Sequence, residues 1–574
     1  MAYRMKSTAW LCVALFFFFR SRPEACGGEV SIRVLPQTVT TNSGVFRIGL
    51  RAGFGKTTEK LLRAECLSEP VLVTGEDATS LTGSTVRVAQ TQEPDTGRLS
   101  YTVANEGSKP GGITLTTAPL RKGVRHTLRL TCRPEKGNRV LRFGFIPVDG
   151  KPDEATGKRV KVKGGDEPCE VALNVIPHRD GSFFCSFQIE PGSVMTFSAF
   201  SLLPDDAQEG WDSQVVEALR LTGAGVLSWS AQGAGGALPY DWYAGVGPRP
   251  ARAAKGHSFG TAEAVRLSRL VGAEPVFQVP VSRMTGIDDR APDQTTAVAL
   301  AADWVAYCNA TGGHPLALLR TRHGIAEALD VKRWEIIPFG ARQQDAAGFS
   351  NACPAYVAAM KGEDPSIAVE SFADATDVQD TPDAYVARLL ARLADSEEKD
   401  RIYYHAWYDA LSKIGAALKR SQQGTARGRP CTPFEIGEVM QQGLYAKHRL
   451  SGAGWLMSLV NRFPTTDALT TDGGLPGEKA SSFWVQAAWS EDVSALVVFV
   501  YNSGPETQKV RLDLTALNRR FVFYAREQVA ADITAQRASP TIPVFRRQKA
   551  GSAITQVVLC EASPSSLTRL IVRE

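Results

Sequence analysis

The alternation of apolar and polar residues divides the chain into three regimes. From about Ser68 to Phe200, short runs alternate with period two and are separated by Gly, Pro, Asp and Asn. Ser84, Val86 and Val88 form one such run, as do Ile113 with Leu115, His126 with Leu128 and Leu130, and Val171 with Leu173 and Val175. Short alternating strands with frequent turns predict a β-sandwich. From Leu202 the period changes. A helix over Val215 to Leu221 ends at Thr222-Gly223, where glycine supplies a left-handed cap, and a strand over Gly225 to Trp229 follows at once. A helix to Leu270, a strand over Val276 to Val279 and an amphipathic helix through Trp304, Val305 and Tyr307 continue the pattern. Then come a strand over Val331 to Ile337, a helix over Tyr356 to Lys361, a strand opening at Asp364 to Val369 and a helix over Ala384 to Leu393. The run Arg401 to Tyr408, a helix over Ala410 to Arg420, the run Thr432 to Glu438 and a helix from Val439 to about Arg462 complete this regime. Strands and helices in strict alternation with short turns predict an α/β fold, a (β/α)8 TIM barrel. Beyond about Thr466 the chain returns to alternating strands, which predict a second sandwich.

A chain of 574 residues exceeds what one core usually serves, so two or three domains are expected. Its 43% hydrophobic and 22% charged residues are ordinary for a soluble globular protein. The net charge of +5 is small and the basic residues are scattered, which gives no nucleic-acid footprint. At the N-terminus, Arg4 and Lys6 precede an apolar run from Ala9 to Phe19. That run is too short to span a bilayer but has the length of a signal-peptide core, so residues 1–25 are read as a signal peptide, with an uncleaved anchor as the alternative. No later segment is long and apolar enough to cross a membrane, and the mature protein is expected to be secreted or lumenal. Ten widely spaced cysteines show no disulfide framework, although Cys169 and Cys185 would suit neighbouring strands of one sheet. No spacing suggests a metal, and no Gly-rich phosphate loop or Ser/His/Asp constellation emerges, so no cofactor is expected. Asn309-Ala310-Thr311 is a glycosylation sequon.

The stretch Ala301 to Gly340 carries the chemistry. It supplies Tyr307-Cys308-Asn309, Leu319-Arg320, His323-Gly324 and Val331 to Ile336 in that order. This pattern resembles glycoside hydrolase family 51, the α-L-arabinofuranosidases, whose corresponding strand ends Trp-Glu-Ile-Gly-Asn-Glu. Further likeness runs through Leu203-Pro204-Asp205-Asp206, Tyr240-Asp241-Trp242, Gly245 to Arg249 and Ser258 to Glu263. The resemblance implies the first barrel strand and helix at 44–66, an inserted carbohydrate-binding-like sandwich at 68–200, the barrel at 201–464 and a C-terminal sandwich at 466–574. It also implies a polysaccharide or oligosaccharide partner and a retaining mechanism, which needs two carboxyl groups about 5 Å apart.

Two departures bear on activity. The family's Gly-Asn-Glu becomes Ile337-Pro338-Phe339, which puts a phenylalanine where the acid/base carboxylate stands. The family's Leu-Arg-Phe-Pro-Gly-Gly-Asn strand reads Leu227-Ser228-Trp229-Ser230-Ala231-Gln232-Gly233, so the arginine position is Ser228 and Gln232 is the nearest replacement for the asparagine. For the nucleophile, Glu438 and Glu435 are candidates, with Glu438 preferred because it ends its run at the start of a helix; the plain alternative is a carboxylate facing the helix dipole. Glu335 shares strand parity with position 339 but lies four residues, about 13 Å, deeper, which suits a core hydrogen bond. The pair Asp288-Asp289 is a candidate replacement acid on the rim, against the plainer reading of a solvated pair. His405, Trp407, Trp242, Trp229 and Gln232 are the candidate sugar contacts, with packing as the alternative for the aromatics. Two functions follow from these residues: a secreted α-L-arabinofuranosidase-like hydrolase, or a catalytically impaired relative that binds glycans.

Overall fold

The computed structural model describes residues 29–39, 48–51, 65–67, 86–92, 99–148, 156–162, 167–230, 242–249, 252, 259–281, 294–338, 346–371, 410–415, 434–435, 440–441, 449–450, 452–461, 465–474, 482–490, 492–504, 506–521, 523–530, 544–550 and 556–573. The expected signal peptide, the helix over 384–393 and the run 401–408 lie outside them.

The first alternating regime folds into two facing sheets. One orders strands β5 (Gly111–Thr116), β10 (Phe183–Ile189), β7 (Val140–Pro147) and β8 (Thr156–Lys161). The other orders β3 (Val86–Gln92), β4 (Leu99–Asn105), β11 (Val194–Pro204), β6 (His126–Lys136) and β9 (Cys169–Val175). Alternate residues such as Leu128, Leu130, Leu141, Phe143, Phe187 and Phe197 meet between them in a single core. Side chains of a strand point to opposite faces in turn, so the period-two pattern was sufficient to form this layer. Cys169 and Cys185 fall on β9 and β10, which belong to different sheets, so they do not pair as expected. Consecutive strands here cross between layers, which sequence spacing does not reveal.

The α/β regime builds a six-stranded sheet in the order β15 (Ala368–Ser371), β14 (Arg333–Pro338), β13 (Glu274–Val281), β12 (Val226–Ser230), β2 (Ile48–Arg51) and β16 (Phe434–Glu435). Every neighbouring pair is parallel. Between the strands run helices α1 (Ser213–Leu221), α2 (Thr261–Val271), α3 (Gln294–Asn309), α4 (Pro315–Arg322) and α5 (Ala346–Glu363). Asp212 caps α1 by accepting from the N–H groups of Gln214 and Val215 at 2.8 and 3.2 Å. Gly223 and Gly272 take the left-handed conformation just past α1 and α2, at φ 64° and 81°. The strand at Ile48–Arg51 sits beside β12 although the whole sandwich separates them in sequence. Most of the helix expected after the first strand, within 44–66, lies outside the described residues; Glu65 and Cys66 themselves are not helical.

One expectation fails near the end of this regime. At the start of the expected helix from Val439, Met440–Gln441 (β17) is instead a strand and pairs antiparallel with Arg449–Leu450 (β18). The helix α6 begins only at Gly452 and runs to Asn461.

The C-terminal strands form one nine-stranded sheet, ordered β24 (Val544–Ala550), β23 (Phe523–Ala530), β26 (Ser566–Arg573), β21 (Ala495–Asn502), β20 (Phe483–Ser490), β19 (Thr465–Gly473), β1 (Glu29–Val39), β22 (Gln508–Asp513) and β25 (Val557–Ala562). The strand β1 was not anticipated. Val30, Ile32 and Val34 alternate in the sequence and bury one side of it, so the local signal was present; its partners β19 and β22 are more than 400 residues away. All eight residues of β21 are buried because the sheet is covered on both faces. One face closes its own core, while Val497, Phe499 and Tyr501 pack into the core of the α/β regime. Arg569 ties the two together, pairing with Glu527 and donating to the carbonyl oxygen of Leu459 on α6. Among the described residues no helix is long and apolar enough to cross a membrane.

Candidate active site

Strand parity divides the parallel sheet into two faces. Trp229, Phe277, Trp334 and Ile336 belong to the core that includes the helices. Phe277 lies 5.1 Å and Trp334 5.4 Å from Trp304 of α3, ring centre to ring centre, and Trp229 lies 5.0 Å from Phe259. The residues between them therefore face the other way: Ser228 on β12, Gln278 on β13, Glu335 on β14 and Glu370 on β15. Gln278, Glu335 and Glu370 are in register across three strands.

On this face Gln278 Nε2 donates to Glu335 Oε2 at 2.9 Å, and Glu335 is only 2% exposed. The structure thus gives Glu335 the core hydrogen bond that its depth implied. One turn of the pleat lower, Arg333 meets Glu274 at 3.1 Å and Glu370 at 3.6 Å. These ion pairs stand near the strand starts, away from the C-terminal ends where barrel chemistry is done. Ser228 is buried, and its hydroxyl has no hydrogen-bond partner among the described residues. A small hydroxyl cannot span to a sugar in the way the long, forked guanidinium of arginine could.

At the C-terminal ends, Pro338 closes β14 opposite Val281 of β13. Pro338 is the last described residue of this strand. Phe339, Asp288-Asp289, Gln232, His405, Trp407 and Glu438 lie outside the described residues. Glu435 is on β16, in register with Gly49 of β2.

Two expected sugar contacts are corrected. Trp229 and Trp242 are 1% and 2% exposed. Trp229 packs on Phe259; Trp242 stacks on Tyr243 at 3.9 Å and leans on Tyr307 at 5.3 Å. Neither ring offers a face to solvent. Large apolar rings gain more from filling the helix–sheet core than from standing in water.

The motif residues that carry the family likeness sit at the opposite end of the sheet. Asn309, the last residue of α3, donates from Nδ2 to Val331 O at 2.9 Å and to Asp364 Oδ2 at 2.8 Å, while its Oδ1 accepts from Val331 N at 2.8 Å. It locks the end of one helix to the entry of β14. Arg320 is buried and donates to Tyr307 O at 2.6 Å and Ala310 O at 2.9 Å, satisfying carbonyls left open at the end of α3. Tyr307 Oη lies 3.1 Å from His323 Nδ1. Burial, followed by the nearby Arg322 and Arg252 charges, lowers the His323 pKa and favours its neutral form. Burial raises the Asp364 pKa, but hydrogen bonds from Ser366 and Asn309 and the Lys332 charge outweigh it, leaving the carboxyl below its ordinary range. In a barrel, likeness at the strand starts speaks for stability and likeness at the strand ends for chemistry. Among the described residues, no three His, Cys, Asp or Glu side chains gather as a metal would need.

Residues 218–412 match the family model described as the alpha-L-arabinofuranosidase 1 domain. A probable alpha-L-arabinofuranosidase C of Aspergillus flavus is 31% identical over 178 residues, covering 29% of this chain and 32% of that protein. Alpha-L-arabinofuranosidase C of Emericella nidulans is 29% identical over the same extent. The chain therefore spans about a third of the length of the curated relatives it matches. Among solved structures, an arabinose-bound GH51 α-L-arabinofuranosidase shares the fold across 95% of this chain and all of its own, with a TM-score of 0.67 at 14% identity. Over residues 218–412 the chain is thus similar to the α-L-arabinofuranosidases, and it shares its fold with a glycoside hydrolase family 51 structure.

Proposed function

We propose that this protein is an arabinofuranosidase-like glycoside hydrolase of the cell exterior, acting on arabinose-containing polysaccharide through the C-terminal ends of its parallel strands. The single observation that supports this most is the shared fold with an arabinose-bound arabinofuranosidase over 95% of the chain. In this reading the six described parallel strands are part of a closed eight-stranded ring, with the run Arg401 to Tyr408 as one of the others. Glu438 is the nucleophile of a retaining mechanism. It attacks the anomeric carbon while a second carboxyl, about 5 Å away, protonates the leaving oxygen. The pair Asp288-Asp289 is the candidate for that second role.

A second reading has its own support. Phenylalanine at position 339 cannot donate a proton, Glu335 is buried and bonded four residues below it, and Ser228 replaces the arginine. Loss of a general acid costs a factor of roughly 10² to 10⁴. On this reading the protein binds arabinose-containing glycans and turns them over slowly or not at all.

Hydrolysis of 4-nitrophenyl α-L-arabinofuranoside by the purified protein, set beside Glu438→Gln, separates the two. Robust turnover that the substitution abolishes supports the hydrolase and its nucleophile. Binding of arabinan or arabinoxylan without turnover supports the second reading, and absence of both binding and turnover removes the two together.

A further inference from the structure

Two thiols face each other inside the sandwich. Cys132 on β6 and Cys169 on β9 are direct partners in the antiparallel register, and their Sγ atoms lie 3.8 Å apart. Directly opposed residues of an antiparallel pair have Cα atoms about 4.5 to 5.5 Å apart. A disulfide needs about 4.4 to 6.8 Å. The backbone therefore already holds both residues where a bridge can close, and only the sulfur atoms must approach.

Access and burial are divided between the two. Cys132 is fully buried in the sandwich core, whereas Cys169 is half-buried, packs against the same core and opens the edge strand β9. The other described cysteines lack such a partner in register. Cys185 is opposite Leu115 and Phe145, and Cys560 is opposite Val510.

We propose that Cys132 and Cys169 form a cross-strand disulfide site, closed by exchange with a small-molecule disulfide such as oxidised glutathione. The Cys169 thiolate attacks one sulfur of the oxidant, breaks its S–S bond and releases one glutathione thiolate. Cys132 then gives up its proton to solvent and attacks the Cys169 sulfur, expelling the second glutathione thiolate. Two protein thiols are oxidised and one external disulfide is reduced to two thiols, so electrons balance. Burial pushes the Cys132 thiol up to about 12, which makes the second exchange the slow one. The closed bridge pins the edge strand β9 to β6 and joins residues 37 apart in sequence.

The test uses the full chain, purified reduced and incubated folded with oxidised and reduced glutathione, then acid-quenched, alkylated, digested and weighed by mass spectrometry. The expected result is one peptide pair joined through Cys132 and Cys169, lost on reduction. Cys132→Ser should leave Cys169 as a glutathione adduct, because the attacking group that would displace it is gone. Cys169→Ser, at the half-buried edge, should leave Cys132 free to be alkylated after unfolding; it carries the test should the buried substitution fail to fold. Recovery of both cysteines separately alkylated from the folded, oxidised parent overturns the proposal, as does a bridge from Cys169 to Cys185.

Discussion

Replacing Asn309 by aspartate changes one terminal atom and little of the shape. The acceptor for the Val331 N–H survives, but both Nδ2 hydrogen bonds, to Val331 O and to Asp364 Oδ2, are lost. The neutral bond is worth about 1 kcal/mol and the bond to a carboxylate about 1.5 to 3 kcal/mol. The introduced oxygen would also face the Asp364 carboxylate across the former 2.8 Å hydrogen bond. Two like charges about 4 Å apart near a protein surface repel by up to about 4 kcal/mol, which the Lys332 ammonium beside Asp364 reduces. Asn309→Asp should therefore destabilise the junction between α3 and β14 by about 4 kcal/mol at neutral pH.

Several cores share one chain, so a global melting midpoint is not a single free energy. Hydrogen exchange followed by mass spectrometry reads the junction itself. Peptides holding the N–H groups of Leu329 and Ala368, which bond to Cys308 O and Lys332 O, should exchange up to about 10³-fold faster. The sign of the pH dependence is fixed by linkage. The facing carboxylates raise each other's pKa in the folded variant, so the penalty is present above the raised value and fades as pH falls toward 4. In the parent the depressed Asp364 pKa acts oppositely: its contribution is full above the ordinary carboxylate range and is lost as pH falls through the depressed value. Exchange at this junction within about twofold of the parent at pH 7 would refute the clamp.

Further outcomes follow from the same geometry. The sequon at Asn309 should carry no glycan in the folded protein, because its amide nitrogen is already bonded twice; a mass shift removed by a glycosidase and mapped to that peptide would contradict this. Arg320→Ala should cost about 3 to 5 kcal/mol at the same helix end, read by exchange of the α3 amides, and Arg320→Lys should recover little of it, since a single ammonium cannot replace the fork that spans two carbonyls. Phe339→Glu should raise arabinofuranoside turnover by roughly 10²-fold or more if that position is where the proton donor belongs; unchanged turnover in a folded variant would show that the acid stands elsewhere or that the cleft is no longer catalytic.

Local pattern was enough wherever the physics is local. Alternation placed β5, β6 and β9, and a helix-ending glycine marked the end of α1, because side-chain direction and backbone freedom are properties of a few adjacent residues. The central motif likewise announced the arabinofuranosidase likeness from the order of its residues. What the motif does was not legible. Asn309 and Arg320 are read in sequence as neighbours of a catalytic strand, yet their contacts are with helix-end carbonyls and a strand entry. The aromatic residues Trp229 and Trp242 have the same composition whether they line a cleft or fill a core; only the packing of α2 and α3 against the sheet decided for the core.

Long-range partners were the other loss. The alternation of Val30, Ile32 and Val34 defines a strand but not its neighbours, and β1 found them in β19 and β22. Cys169 could be assigned a plausible partner only by proximity in sequence, which named Cys185; the register of β6 and β9 named Cys132 instead. By itself, then, the sequence determined the types of most of its elements, the parallel character of its middle and the arabinofuranosidase likeness of its central motif. Tertiary structure alone decided which strands meet, which aromatic rings are hidden and which thiols touch, because those outcomes depend on burial summed over residues hundreds of positions apart.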